Sequence, residues 1–378
     1  MRVAHIVRQY LPSIGGMEEV VRNLVQHQQA QTRFEPYVVT LDRVFREPGK
    51  KLLTNETMDS VAVRRLPFSG SERYPLCPQV LNALKGADLV HVHGIDFFFD
   101  FLALTRPLHG RPLIVSTHGG FFHTRFAKRL KRLYFNSVTR ASALAYRRII
   151  ATSENDGDIF SGISGEPRLK VIENGVDIQK FESASSPELK PTLIYFGRWS
   201  VNKGILEALE VFAALCTQQP DTPWQMTIAG REYDLNADLI LAHAARLRIA
   251  GRVSVVAGPS NGDLRTLIAQ ASYFICMSHH EGFGIAPIEA MSAGLIPVLS
   301  AIPPFSRLVK STGVGLILDA ANPADQALQL GHLHDQEVQA RRLPDGGQRD
   351  AARTAARAYS WNKVATQYVQ QYDQVVDA

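Results

Sequence analysis

Cysteine is scarce in this 378-residue chain: Cys77, Cys216 and Cys276 are an odd, widely spaced set with no C-x-x-C pair, which supports neither a disulfide framework nor a zinc site and fits a reducing cytosol. No apolar run reaches the roughly eighteen residues that cross a bilayer, and the apolar start of M-R-V-A-H-I-V-R-Q-Y is too short for a signal peptide. The sequence therefore reads as neither exported nor membrane-spanning. The dinucleotide fingerprint G-x-G-x-x-G is missing as well, which weighs against a dehydrogenase. Acidic residues are absent between Phe101 and Ser153, while Arg125, Lys128, Arg129, Lys131, Arg132, Arg140, Arg147 and Arg148 crowd the second half of that interval. Divided at residue 178, the chain carries 24 basic and 17 acidic residues before the division and 17 and 19 after it, so the net charge of +5 lies in the first half. Such a face favours anions.

With 45% hydrophobic residues, the chain is long enough for two domains with separate cores. Short apolar runs alternate with helical patterns, the signature of an α/β protein built on parallel sheets. One series has strands at 2–8, 36–41, 61–65, 88–92, 112–117, 148–152 and 169–172, with helices near 17–30, 77–85, 124–146 and 154–161. A second starts afresh at 191–197 and continues near 224–229, 252–256, 272–277, 296–300 and 313–318. Between them, F-E-S-A-S-S-P-E-L-K-P is polar and aperiodic. The expected division is a first domain 1–178, a linker 179–190, a second domain 191–359 and a terminal helix 360–378 behind a Ser360 cap, packing back toward the first domain.

Residues 281–289 read E-G-F-G-I-A-P-I-E, two carboxylates around a glycine turn that opens a helix. A helix start offers unpaired N–H groups and a positive dipole end, and Gly282 and Gly284 let the loop approach an anion closely. Glu281 and Glu289 are too far apart to share that anion, so they are placed to accept hydrogen bonds from hydroxyl groups on either side of it, as a sugar nucleotide presents. The plain alternative is a buried βα unit in which a salt bridge neutralises Glu289. G-R-W-S-V-N-K-G at 197–204 follows the second domain's first strand, bringing Arg198 and Lys203 to a strand end and a helix start, where both reach a phosphate.

G-R-x3-N-K-G at 197–204, A-G-R-E at 229–232 and E-x7-E at 281–289, with G-G-M-E at 15–18, S-T-H-G-G at 116–120 and V-I-E-N-G-V-D at 171–177, resemble glycosyltransferase family 4 over nearly the whole chain. The stretches V-R-Q-Y-L-P-S-I-G-G-M-E-E-V-V and H-G-I-D-F-F-F-D-F-L-A-L-T look most like the mannosyltransferases of xanthan- and acetan-type exopolysaccharide assembly. The resemblance implies a GT-B fold, two Rossmann-like domains with an interdomain cleft, and retaining transfer of mannose from GDP-mannose to a cellobiosyl-diphospho-polyprenol in α-1,3 linkage. It implies that Arg198 and Lys203 bind the donor diphosphate, Glu281 the transferred sugar and Glu289 the ribose. Phe283, Gly284 and Ile285 would supply backbone N–H groups, Gly15 and Gly16 a loop over the diphosphate, and His118 a ring beside the reacting sugar. Gly230 and Arg231 fall on a neighbouring loop facing the diphosphate or base, and Gly258 and Pro259 on the loop that reads the base. No metal or other cofactor is expected.

Other signals compete. H-V-H at 91–93 puts two rings on one strand face as a metal pair requires, without an evident third ligand. Asp156-Gly157-Asp158 matches a D-x-D metal motif but sits where acids favour a helix start after Ser153. The basic segment around Arg125, Lys128, Arg129, Lys131 and Arg132, with Phe121 and Phe122, suits the acceptor lipid and an anionic membrane surface better than nucleic acid, and Phe97-Phe98-Phe99 is expected in a loop of the same domain. The expected location is the cytoplasmic face of the inner membrane. A UDP-glucose-dependent enzyme on the same fold, and a non-catalytic lipid- or polysaccharide-binding module, are the other readings.

Overall fold

The computed structural model describes the chain except residues 14, 32, 46, 48, 73, 120–132, 166, 321, 341–346 and 378. It divides into two compact units, Met1–Gly175 with Trp361–Ala378, and Val176–Ser360.

The first unit is built on strands β1 (Arg2–Val7), β2 (Glu35–Leu41), β3 (Asn55–Met58), β4 (Val61–Leu66), β7 (Leu89–His93), β8 (Leu113–Ser116), β9 (Arg148–Ala151) and β10 (Leu169–Val171), in the order β10-β9-β8-β7-β1-β2-β4-β3; a separate hairpin pairs β5 (Ser69–Ser71) with β6 (Tyr74–Leu76). All pairs of the large sheet are parallel except β3 with β4. Its central strands are almost entirely buried, which is why β8 reads as a continuous apolar run and β1 and β7 as apolar runs interrupted only by His5, His91 and His93. The terminal helix Trp361–Val376 covers this sheet, with Val364, Tyr368 and Tyr372 packed among Val3, Leu89, Ile114 and Ile150.

The second unit carries β11 (Thr192–Trp199), β12 (Gln225–Glu232), β13 (Val253–Ala257), β14 (Tyr273–Cys276), β15 (Ile296–Ser300) and β16 (Leu316–Leu318) in the order β13-β12-β11-β14-β15-β16, all parallel. This is the doubly wound order, which reverses between β11 and β14 and so opens a ligand crevice at the carboxyl ends of those strands.

Two expectations are corrected. The expected linker 179–190 is packed into the second unit rather than standing free of it: Phe181 is fully buried in the second core, and the N–H groups of Ser183, Ser185 and Ser186 donate to the carbonyls of Ser292, Ala293 and Ala271. Phe97, Phe98 and Phe99 are not loop residues either. They open the helix Phe97–Leu104, capped by Asp96 accepting from the Phe98 N–H, and all three are buried in the first unit's core, so they offer nothing to a lipid.

Candidate functional site

In the second unit the sequence motifs fall at the carboxyl ends of β11 to β14. β11 runs two residues and β12 three residues further than their apolar runs suggest, so Gly230 and Arg231 lie within a strand rather than on a loop, and Arg198 stands in register beside Arg231. Both arginines are exposed, and the Arg198 guanidinium lies over the Tyr233 ring at 4.4 Å. With their Cα atoms in register on neighbouring strands and both side chains exposed, the two arginines are placed to take one anion together, which makes Arg231 a stronger phosphate candidate than its motif alone suggested.

Beyond β11 the chain makes one turn at Val201–Lys203, and Gly204 (φ 64°) starts the helix Ile205–Gln218. A Cβ on Gly204 would collide with the Met277 carbonyl, so only glycine lets this turn lie against the end of β14. Asn202 fastens the two loops: its carbonyl accepts from the His279 N–H at 2.9 Å and its amide donates to the His280 carbonyl at 2.8 Å. The result is a pair of loops from the two switch-point strands with Lys203 Nζ 2.5 Å from Glu281 Oε1, which also accepts from Ser278 Oγ at 2.7 Å.

Glu281 is followed by the turn through Gly282, Phe283 and Gly284 into the helix Ile285–Ala293. Glu289, on that helix, faces Lys180 Nζ at 3.2 Å, so a salt bridge does neutralise it. The Lys180 ammonium also lies 4.7 Å from the centre of the Phe181 ring. Gly258 donates to the Gly230 carbonyl at 2.7 Å, and after Pro259 the Ser260 and Asp263 side chains cap the helix Asn261–Ile268 reciprocally.

In the first unit, Gly15 and Gly16 lie beyond β1 at the start of the helix Gly16–Gln31, where the Glu18 carboxylate sits beside Gly15 and accepts from Ser13 Oγ at 3.3 Å. His118 follows β8 in the left-handed region (φ 54°), a conformation that costs a non-glycine residue about 1–3 kcal/mol and collects at functional sites. Asp156 Oδ2 holds it there, accepting from Thr117 Oγ1 at 2.6 Å and from the Gly119 N–H at 2.8 Å. Asp156 is buried and Asp158 exposed on the helix Glu154–Ser161 capped by Ser153, so the two carboxylates of D-x-D point different ways. His118 Nε2 lies 3.0 Å from His93 Nδ1, and burial brings the His118 pKa down to about 4, leaving a neutral ring.

H-V-H gains a third histidine: His5 on β1 is in register with His91, and His5, His91 and His93 each present a ring nitrogen within 4.8 Å of the others. Sequence reading missed this cluster although V-A-H-I-V, a histidine inside an apolar strand, was its signal. It also missed Lys180, which is 109 residues from Glu289 and has no local mark, and Asn202, which stands inside the quoted G-R-x3-N-K-G motif. Phe121, Phe122, Arg125, Lys128, Arg129, Lys131 and Arg132 lie outside the described residues.

Two families match the chain, "Glycosyltransferase Family 4" over residues 14–180 and "Glycosyl transferases group 1" over 177–350. The GDP-mannose:cellobiosyl-diphosphopolyprenol alpha-mannosyltransferase of Xanthomonas campestris is 50% identical over 377 residues, 98% of this chain and 96% of that one. The enzyme of the same name from Komagataeibacter xylinus is 41% identical over 378 residues, 100% of this chain and 94% of that one. Among solved structures, sucrose-phosphate synthase from Thermosynechococcus elongatus superposes with a TM-score of 0.69 at 19% identity, covering 99% of this chain and 98% of that one. With these relatives, two doubly wound units and the motifs assembled at the strand ends, the chain belongs to glycosyltransferase family 4 and has the GT-B fold.

Proposed function

We propose that the chain transfers mannose from GDP-mannose to cellobiosyl-diphosphopolyprenol, making an α-1,3 bond with retention at the anomeric carbon. The observation that carries this reading is identity of 41–50% along nearly the whole length to enzymes of that one name. The geometry supports the class of donor: the ends of β11 and β12 carry two exposed arginines in register, and the loops after β11 and β14 bring a lysine–carboxylate pair and a helix start to the same switch point.

In this reading Arg198, Arg231 and Lys203 take the diphosphate, Glu281 the mannose hydroxyls and Glu289 the ribose, with Lys180 steadying Glu289. Phe283, Gly284 and Ile285 contribute backbone N–H groups, Gly258 and Pro259 meet the base, and Gly15, Gly16 and His118 are the first unit's candidates for the diphosphate and the sugar. The bond from anomeric carbon to phosphate oxygen breaks and GDP departs with the electron pair. The acceptor hydroxyl oxygen bonds to the carbon on the same face, and its proton passes to a phosphate oxygen. Positive groups preorganised around the departing phosphate stabilise this transition state more than the ground state. A covalent route needs a carboxylate on the opposite face of the sugar, and no residue is nominated for it; trapping a mannosyl-enzyme would overturn the front-face step. The reaction proceeds without a metal, since the arginines and the lysine supply the charge that a cation would.

The first unit reaches its lipid acceptor by resting on the cytoplasmic face of an anionic membrane. Supporting this, no helix among the described residues is long and apolar enough to cross a bilayer, while Leu104 and Leu108 are 79% and 78% exposed and Leu133 and Leu144 flank a stretch without acids. The test of the donor is turnover of radiolabelled GDP-mannose against UDP-glucose on synthetic cellobiosyl-diphospho-lipid. Transfer from GDP-mannose alone is expected; preference for UDP-glucose would replace the donor, and nucleotide binding without transfer or donor hydrolysis would favour a non-catalytic module.

A further inference from the structure

Two imidazoles, His5 and His93, stand inside the first unit's sheet at positions where a parallel strand carries valine or isoleucine, and a third, His118, follows the end of β8. They form a line. Gln28 Oε1 lies 2.9 Å from His5 Nε2, His5 Nδ1 lies 3.0 Å from His93 Nε2, and His93 Nδ1 lies 3.0 Å from His118 Nε2. Gln28, His5 and His93 are essentially inaccessible, whereas His118 is half-buried at the end of β8. His91 stands beside the line, with Nδ1 2.6 Å from Tyr372 Oη and Nε2 2.8 Å from Ser116 Oγ. Every ring nitrogen of His5, His91 and His93 is thus engaged in a hydrogen bond, and a cation here would have to break several of them in a closed core. The cluster is a hydrogen-bond network, and its direction can be read.

An amide oxygen only accepts, so His5 Nε2 carries the proton toward Gln28. Burial disfavours a second proton on any ring, which leaves His5 Nδ1 bare. His93 must then donate from Nε2 and accept at Nδ1, and His118 must donate from Nε2. His118 Nδ1 is left unprotonated, with no hydrogen-bond partner among the described residues. We propose that Gln28, His5 and His93 are positioning residues that fix His118 as the Nε2–H tautomer, so that its bare Nδ1 accepts a hydrogen bond from a hydroxyl of the reacting sugar. This rests on the reading that places His118 beside that sugar. A neutral ring that accepts rather than donates leaves electron density on a sugar that becomes electron-poor as the glycosidic bond breaks. The device also explains a half-buried, strained residue backed by three inaccessible polar ones: the tautomer is set about three side chains away from solvent, where water cannot exchange it.

Nitrogen NMR of the full chain labelled with 15N-histidine reads the tautomers directly. The expected result is protonated Nε2 and bare Nδ1 on His5, His93 and His118. A protonated Nδ1 on His118 would mean that the Gln28 amide lies the other way round, and would overturn the proposal. Gln28→Met, remote from the sugar, is expected to mix the His118 tautomers and lower kcat by about tenfold, the usual scale for an outer-shell partner, with KM for GDP-mannose little changed. Gln28→Glu, which keeps an oxygen facing His5, is expected to restore both the signal and the rate. Mixed tautomers with unchanged kcat would remove the functional claim. His118→Ala separates the two readings: full activity there would sink the placement of His118 at the sugar, whereas an inactive variant, together with a protonated His118 Nδ1 in the unaltered chain, would sink the relay alone.

Discussion

Lys203 Nζ lies 2.5 Å from Glu281 Oε1, so the residue assigned to the departing diphosphate and the residue assigned to the transferred sugar are each other's partner. The two sit on loops from adjacent strands of the switch point, and Asn202 fastens those loops together through the backbone of His279 and His280. In the proposed reading, charge at the phosphate end and hydroxyl recognition at the sugar end are therefore mechanically one unit.

Lys203→Ala and Glu281→Gln should each lower kcat/KM by about 10²–10³, the cost of removing one preorganised electrostatic group. Because each leaves the other without its partner, the double variant should cost little more than the worse single one. The side chains are only 23% and 14% exposed, so removing either partner leaves a largely buried charge uncompensated and should lower stability by roughly 3 kcal/mol. Steady-state kinetics and thermal denaturation check this; additive losses would show that the pair acts as two independent contacts.

Gly204→Ala should also damage the fold. The new methyl group meets the Met277 carbonyl in a left-handed backbone, so a loss of at least about 3 kcal/mol is expected in urea unfolding, and the surviving folded protein should bind GDP weakly. A stable, fully active variant would show that the turn has room the structure does not.

Asp156→Asn should cut kcat by roughly tenfold, since the carboxylate oxygen that holds both neighbours of His118 is replaced in part by a donor. Asp158→Asn should be silent, and EDTA should leave activity intact. Equal damage from the two substitutions, with EDTA inhibition relieved by Mn²⁺, would make D-x-D a metal site after all.

The first unit should lose stability on acidification. Burial holds His5 and His118 at about 4, and His91 and His93 well below their ordinary value, whereas all four titrate near 6.5 when unfolded. Below pH 6.5 the unfolded chain takes up protons that the folded one refuses, so stability is full above that pH and falls toward pH 4, by up to roughly 1.4 kcal/mol per pH unit for each ring. Asp96, pushed up to about 6 by burial, works in the opposite direction but is one group against four. Hydrogen exchange of peptides covering β1 and β7 at pH 7.5 and pH 5, corrected for intrinsic rates, should show protection lost at the lower pH; unchanged protection would mean that the rings can protonate without opening the sheet.

Most central strands were legible because a parallel sheet covered on both faces needs long apolar runs, which β8, β11 and β14 have and which only histidines interrupt in β1 and β7. β3, with N-E-T-M, has no such run: it is an exposed antiparallel edge and gives no signal. Phe97-Phe98-Phe99 misled because three consecutive aromatics carry no helical period; the Asp96 cap decides the helix. At the site, the acids, the glycine turn and the Arg–Lys motif could be read locally. Lys180 opposite Glu289, Arg231 beside Arg198 and the His5–His93–His118 line could not, since each depends on strand register or on contacts between distant segments.

The most direct test of the account is the structure of the product itself. Wild-type protein incubated with GDP-mannose and cellobiosyl-diphospho-lipid should yield a single mannosylated lipid whose anomeric carbon–proton coupling in NMR reports an α linkage to position 3 of the terminal glucose. A β-linked mannose, or no mannosylated lipid while GDP-mannose remains intact, would contradict retaining transfer by this site.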